Sequence, residues 1–223
     1  MTDHLHRDLD ALKHHVLSMG GLAEEALQLA RKALVTRDPK HVEGLRSIEP
    51  RIDRLQLDID DEIIKLLALH QPVAGDLRFA TAAMKIVNDL ERVGDLSSTI
   101  GNRLLKIFDL EPLGQPLEMV TMMQSAAEML RNSLNAFVSL DPHAARQVIL
   151  DDDIVDAANR EHFKVLVKIM KESPESVDVA IAFLTISRCI ERIADMATNI
   201  AEDVVFVAEA TDIRHPKLTG ETF

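Results

Sequence analysis

The sequence predicts an all-helical (all-α) protein made of two tandem three-helix bundles. Apolar residues recur at helical spacing through almost the whole chain, and strand signals are nearly absent. The predicted helices are about 30 residues long and reach ~45 Å, which favours long antiparallel bundles over a globin-like arrangement. The second half of the chain repeats the helix pattern of the first half. We therefore expect one bundle at residues 1–110, a second at 117–210 and a loosely ordered tail at 211–223.

Three helices are predicted in the first half. The first covers about residues 3–37 and ends at "TRDPKH", where Asp38 is the predicted N-cap and Pro39 opens the second helix. The second helix stops near "ALHQPVAGD", where proline and glycine interrupt the pattern. The third covers about residues 76–108 and is followed by "FDLEPLGQPLE", a predicted short linker.

The same elements return after this linker. Helices are predicted over about residues 117–140, 143–171 and 175–209. Asp141 in "SLDPHA" follows Asp38 by 103 residues, whereas Glu191 follows Glu91 by 100. The register therefore holds within each helix, and the second half is shorter around its second loop.

Composition limits the possible classes of function. The chain of 223 residues carries a formal net charge of −12 and has no Trp or Tyr, so it lacks the basic surface and stacking aromatics of nucleic-acid binding. The same charge disfavours direct contact with anionic lipid headgroups. No apolar run approaches the ~18 residues that a membrane span needs. We expect no nucleic-acid partner and no direct membrane insertion.

Phosphate binding and enzymatic chemistry also lack their usual signatures. No Gly-rich loop opens a helix and no Arg cluster stands out in the sequence, so a free phosphate ion is not expected as a direct ligand. No Ser-His-Asp order or nucleophile elbow is present, and we expect no enzyme. The single cysteine, Cys189, excludes a disulfide framework and fits a reducing compartment, and the N-terminus has no apolar signal core. The expected location is the cytoplasm.

Acidic residues four positions apart recur on the predicted helices. The segments "DLERVGD" and "CIERIAD" each carry such a pair on a third helix, and "EPRID" and "DDIVD" each carry one on a second helix. Positions i and i+4 share one face of a helix. The candidate acids are Glu49, Asp53, Glu91 and Asp95 in the first half and Asp152, Asp156, Glu191 and Asp195 in the second.

Helix lengths predict that these pairs meet within each bundle. Asp53 lies ~19 residues before Pro72 and Glu91 ~19 residues after it, so the two acids sit at similar heights on antiparallel helices. Four clustered carboxylates favour a compensating cation. An all-oxygen set without histidine favours Mg²⁺, Ca²⁺, Mn²⁺ or iron over a structural zinc site, and no inward Glu-x-x-His step of a ferritin-type centre is present.

Two alternatives to a metal remain open from the residues alone. Nearby arginines, with Arg92 and Arg192 first among them, could compensate the acids internally. The acids could equally form a solvated stripe, since charge runs on helices usually face water. Pro50, between Glu49 and Asp53, also removes a helical hydrogen bond and can kink the helix there.

Several quoted segments resemble one known family. "MGGLAEEAL", "RIDRLQLDIDDEIIKLLALHQPVAGDLR", "MKIVNDLERVGD" and "IERIADMATNIAED" resemble the PhoU family of phosphate-transport accessory proteins, in order and across nearly the whole chain. The resemblance implies six helices in two PhoU-like three-helix bundles, usually dimeric and without enzymatic chemistry. It also implies metal clusters on the acid-x-x-x-acid motifs of some members, with iron, Mn, Mg or Zn as candidate ions.

The resemblance further implies a function and partners. Members are cytoplasmic negative regulators of phosphate uptake and of the phosphate-starvation (Pho) regulon, coupling the Pst phosphate ABC transporter, through its ATPase PstB, to the sensor kinase PhoR. A homodimer is expected. Two other functions are weighed against this one: a metal-dependent phosphohydrolase, for which the sequence supplies no pocket, and a metal-storage bundle.

Overall fold

A computed structural model of the chain describes residues 2–110 and 117–214. It contains six α-helices and one 3₁₀ turn, and no strand occurs in these two ranges. The elements are α1 (Thr2–Thr36), α2 (Pro39–His70), α3 (Ala74–Leu105), α4 (Leu117–Ser139), α5 (Pro142–Glu172), the 3₁₀ turn Pro174–Ser176, and α6 (Val177–Glu209). The all-helical prediction is confirmed. The middle of the predicted linker, residues 111–116, and the tail from 215 to 223 lie outside the described residues.

One aspartate is the N-cap of the second helix in each half, as the sequence predicts. The side chain of Asp38 accepts a hydrogen bond from the backbone N–H of Lys40 at 2.9 Å. Asp141 accepts from the N–H groups of His143 and Ala144 at 2.9 and 3.1 Å. Each aspartate is followed by a proline at the first helical position, where the missing N–H costs no hydrogen bond.

The third helix ends three residues earlier than predicted. After Leu105 the chain forms turns instead of further helix. The guanidinium of Arg37 donates to the carbonyl oxygens of Ile107 and Leu110 at 2.7 and 2.9 Å. These bonds satisfy carbonyl groups that a longer helix would have paired internally.

The helices form two three-helix units joined along α3 and α6. Within each unit the three helices pack on one another, α3 packs against α6, and α1 packs against α4. One continuous apolar core runs through both units. Phe79 of α3 and Phe137 of α4 stack across the junction with ring centroids 5.1 Å apart. The helices that carry the third-helix acid motifs are therefore also the ones that join the units.

Two glycines allow α2 and α3 to approach closely. A Cβ atom placed on Gly94 would lie 2.8 Å from Cδ1 of Ile52, and one on Gly101 would lie 2.6 Å from Cδ1 of Leu45. Both distances are shorter than ordinary carbon contacts of about 3.5–4.0 Å. Because Gly94 directly precedes Asp95, this approach also sets the separation of the two acid motifs. Pro50 lies within α2, which continues through it.

In the described part of the chain, no helix is both long and apolar enough to cross a membrane.

Candidate functional site

The four acids of the first unit lie near one another on α2 and α3. Burial raises the pKa of Glu91, and the negative charges of Asp95, Asp53 and Glu49 raise it further. Burial also raises the pKa of Asp95, with additional contributions from Glu49 and Asp53. The second-helix and third-helix pairs therefore share one negatively charged region, which we call the first acid cluster.

The corresponding acids of the second unit lie on α5 and α6 and form the second acid cluster. Burial raises the pKa of Asp152 to about 6, and the next contributions come from Asp195, Asp156 and Glu191. Oδ1 of Asp152 is buried and has no hydrogen-bond partner in residues 2–110 and 117–214. A buried carboxylate oxygen without a partner is costly, because it has lost water and gained no donor in return. Its environment favours a proton or another cation.

Among the described residues, the second cluster has a direct internal counter-ion and the first has none. Nη1 of Arg160 lies 3.0 Å from Oδ2 of Asp156, whereas Leu57 occupies the corresponding position in the first unit. Burial and neighbouring acids raise the pKa of Glu91 and of Glu191, and the charge of the arginine that follows each glutamate, Arg92 or Arg192, partly opposes that increase. Internal compensation by arginine is therefore partial, and it is stronger in the second unit.

Other arginines that are close in sequence bind elsewhere. Arg54 pairs with Asp58 at 3.2 Å, and Arg78 donates to the carbonyl oxygen of Val207 at 3.4 Å. Arg160 lies outside the quoted motifs, so sequence analysis did not identify it. Its position one turn after Asp156 was the available signal.

The two acid clusters carry the negative charge that a metal site needs, but their side chains are not placed to share one ion. Within residues 4–110 and 118–214, no three His, Cys, Asp or Glu side chains are close enough together to hold a metal ion. The mutual effects on pKa and the unpartnered oxygen of Asp152 nevertheless identify regions that a cation would stabilise. All the candidate ligands are carboxylates, which suit hard or oxygen-tolerant cations. Binding would require the side chains to turn toward one ion.

A second group of charges lies between the two units and was missed by sequence analysis. Asp89 of α3 and Asp203 of α6 are 7% and 4% exposed. Nζ of Lys85 donates to Oδ1 of Asp203 at 2.8 Å, and the side chain of Asn199 hydrogen-bonds the carboxylate of Asp89. Burial raises the pKa of Asp89 to about 6, although Arg92, 3.8 Å away, opposes that increase.

This group occurs at only one of two equivalent places on the α3–α6 junction. In the repeat, Cys189 takes the position of Asp89 and Arg103 that of Asp203. Cys189 is buried, and burial raises its thiol pKa against the nearby charges of Arg192 and Arg103. Asn199, which follows the acid motif of α6, therefore serves the contact between units.

Comparison with known proteins identifies relatives over the full length. A family model described as the PhoU domain matches residues 16–104 and 119–204. A protein of Pseudomonas aeruginosa, named phosphate-specific transport system accessory protein PhoU homolog, is 32% identical over 98% of this chain and 91% of its own. The match thus covers both three-helix units.

Two crystal structures are similar to the whole fold. The structure of PhoU from Pseudomonas aeruginosa matches with a TM-score of 0.89 at 31% identity, over 92% of this chain and 99% of that one. The phosphate transport system regulatory protein PhoU from Streptococcus pneumoniae matches with a TM-score of 0.88 at 27% identity, over 94% and 99%.

Proposed function

The chain belongs to the PhoU domain family, and on that premise we propose that it is an accessory protein of a phosphate-specific transport system. The observation that carries the proposal is the match of the family model to both units, with named relatives that align end to end. Those relatives are named accessory or regulatory proteins, which favours a non-catalytic role.

We further propose that the protein is a cytoplasmic negative regulator. In this role it holds phosphate uptake and the Pho regulon in the repressed state by coupling the transporter ATPase, PstB, to the sensor kinase, PhoR, when phosphate is plentiful. An adaptor of this kind needs exposed surfaces for two partners. We propose that it acts as a homodimer.

The turn between α2 and α3 offers one such surface. Leu69, Val73 and Leu77 are 76%, 75% and 41% exposed at this end of the first unit. Clustered exposed apolar residues on a soluble domain commonly mark contacts with other proteins. The equivalent end of the second unit instead presents Glu172 and Glu175. We assign the apolar turn of the first unit to the ATPase.

Deletion of the gene in its host tests the regulatory role. We expect genes for phosphate scavenging to be expressed in phosphate-rich medium in the deletion strain, measured with a promoter reporter. Complementation with the wild-type chain should restore repression. Normal repression in the deletion strain would contradict the proposal.

Replacement of exposed residues at the apolar turn tests the assigned surface. Leu69→Ser with Val73→Ser should reduce co-purification of the ATPase from host cells while leaving the helical circular dichroism unchanged. The matched control is Glu172→Ser with Glu175→Ser at the other unit. Equal loss of the ATPase in both variants would exclude a specific role for the turn.

We also propose that the two acid clusters bind metal cations. Glu49, Asp53, Glu91 and Asp95 would hold one set of ions, and the second set would be held by Asp152, Asp156, Glu191 and Asp195. The support is the mutual increase of the carboxylate pKa values and the unpartnered oxygen of Asp152. A bound cation would supply positive charge that stabilises the packing of the second and third helices.

Calorimetric titration with Mn²⁺ at pH 7 tests the metal proposal. We expect binding at both clusters, and Glu91→Gln with Asp95→Asn should weaken binding at the first acid cluster at least about tenfold, since two of its four charged ligands are removed. Asp58→Asn with Asp61→Asn, two exposed acids of α2, should leave binding unchanged. Absence of saturable heat with the wild-type chain would exclude the sites.

A further inference from the structure

A groove on the second unit concentrates positive charge in an acidic protein. It lies between α5 and α6 and has a volume of about 360 Å³. Its lining residues are Asn159, Arg160, Phe163, Lys164, Leu184 and Arg188. Three of these six side chains are cations, although the whole chain carries a net charge of −12. Sequence analysis found no Arg cluster because the cations come from two helices and lie up to 28 residues apart.

The cations of the groove are available to an anionic ligand. Arg160 and Lys164 pair with Asp156 and Glu161 at 3.0 and 3.1 Å, but their side chains are 63% and 71% exposed. Exposed pairs of this kind contribute little stability and exchange readily with other partners. Among the described residues, Arg188 makes no hydrogen bond or ion pair, although its charge partly opposes the increase in the pKa of Glu191 that burial causes.

Phe163 and Leu184 form the apolar part of the groove lining. Phe163 is 49% exposed, and Leu184 is half-buried next to it in the groove lining. An exposed aromatic face binds planar rings by stacking. Asn159 is held in place because its Oδ1 accepts a hydrogen bond from Ser187 at 2.9 Å.

The first unit shows that folding does not require these residues. The positions equivalent to the six lining residues are Gln56, Leu57, Asp60, Asp61, Met84 and Asn88. Gln56 and Asn88 bond directly across α2 and α3 at 3.0 Å. The same place in the repeat therefore has two acids and no cation, and an amide pair spans it. The charge of the second groove is specific to that unit.

We propose that the α5–α6 groove binds a nucleoside phosphate. The guanidinium groups of Arg160 and Arg188 and the ammonium of Lys164 would contact the phosphates, because planar and tetrahedral cations both donate charge-assisted hydrogen bonds to phosphate oxygens. Phe163 and Leu184 would contact the base. The groove volume lies within the range of small-molecule sites, roughly 300–1,000 Å³. This site is additional to the regulatory role and does not depend on it.

Calorimetric titration of the full chain with ADP, in buffer containing EDTA, tests the proposal without metal at the acid clusters. We expect saturable binding of one ADP per chain. Arg188→Asn, which introduces the residue of the first unit, should lower the affinity at least about tenfold through the loss of charge-assisted hydrogen bonds. Phe163→Ala should lower it severalfold. Arg188 and Phe163 are exposed, so both variants should keep the wild-type circular dichroism.

Lys65→Gln is the matched control, because it removes an exposed, ion-paired cation from the first unit. It should leave the affinity for ADP unchanged. Inorganic phosphate and tripolyphosphate, tested in parallel, should bind at least about tenfold more weakly than ADP if the ring is recognised. Absence of saturable ADP binding, unchanged affinity in Arg188→Asn, or equal affinity for tripolyphosphate would each overturn the proposal. Because this assay involves no partner protein, its failure would leave the regulatory proposal unaffected.

Discussion

The two three-helix units place similar total volume between their second and third helices but divide it differently. In the first unit, Leu45 on α2 faces Gly101 on α3. The repeat has Val148 on α5 and Ala201 on α6 at the corresponding positions, and both are buried. The pair Ile52 and Gly94 likewise becomes Val155 and Ala194. A methylene group lost from one helix is matched by a methyl group gained on the other.

The two units match in side-chain volume between these helices, but they differ in the charged residues at equivalent positions. Asp89 and Asp203 are buried at one end of the α3–α6 junction, where the partly exposed Lys85 pairs with Asp203, whereas Cys189 is buried at the equivalent place. Arg160 pairs with an acid of the second cluster, and Leu57 stands at its position in the first. Packing constrains total volume because interiors are close-packed. Surface and junction charges can therefore diverge, and with them function.

The largest effect on stability is expected at the charged end of the junction. Lys85→Met should lower the free energy of unfolding by about 2–3 kcal/mol, because Asp203 would remain buried without its cation. Urea unfolding monitored by circular dichroism measures this loss. Thr185→Val, at the position of Lys85 in the repeat, should cost less than about 1 kcal/mol. Equal losses would mean that the ion pair adds nothing to the junction.

A smaller effect on stability is expected from enlarging a side chain where α2 and α3 pack closely in the first unit. Gly101→Ala should cost about 1–2 kcal/mol, because overpacking against Leu45 and Val42 outweighs a gain in helix propensity of up to about 1 kcal/mol. Adding Leu45→Val reproduces the arrangement of the second unit and should recover most of that loss. A double-mutant cycle measures the coupling, and strict additivity would contradict the packing argument.

The carboxylate of Asp152 predicts a pH dependence of stability. Its pKa is about 6 in the folded chain and about 3.9 when unfolded. The carboxyl group of Asp152 therefore keeps its proton to higher pH in the folded chain than in the unfolded chain. The protonated group stabilises the folded state fully below pH ~4, and this contribution is lost as pH rises through ~6. Asp152→Asn should add about 1 kcal/mol at pH 7, allowing for solvent screening, and nothing at pH 4.

Melting curves at the two pH values check the Asp152 prediction. Asp95→Asn is the comparison in the first unit, where the carboxylate is exposed and burial raises its pKa. The increase in stability at pH 7 should be smaller for Asp95→Asn than for Asp152→Asn. A gain at pH 4 as large as that at pH 7 would show that the effect is not due to titration.

The smallest effect on stability is expected at the Arg160–Asp156 pair. Arg160→Leu introduces the residue of the first unit and should change the free energy of unfolding by less than about 0.5 kcal/mol, since the pair is exposed. It should nevertheless strengthen Mn²⁺ binding severalfold by releasing Asp156. Calorimetric titration measures the change, and unchanged affinity would mean that Arg160 does not compete for this acid.

Local sequence signals predicted the six helices and placed their starts within two residues. Asp38 and Asp141 cap helices through bonds to residues two or three positions away, so their role is visible in a short segment. The third helix was predicted three residues too long, because its end depends on Arg37, about 70 residues earlier in the chain. Metal binding by the eight acids stays a prediction. The pairs themselves are visible because i and i+4 share a helix face.

The sequence alone thus determined the helical period, the tandem repeat, the caps and the spacing of the acid pairs. The period, the caps and the acid pairs depend on residues within one or two helical turns of one another, and the repeat is visible because the same local patterns recur about 100 residues later. Tertiary structure decided that Asn199 and Lys85 join the units and that cations from α5 and α6 line one groove. Those contacts depend on how helices far apart in sequence rotate and pack. That arrangement is set by close packing of the whole core, and no single segment encodes it.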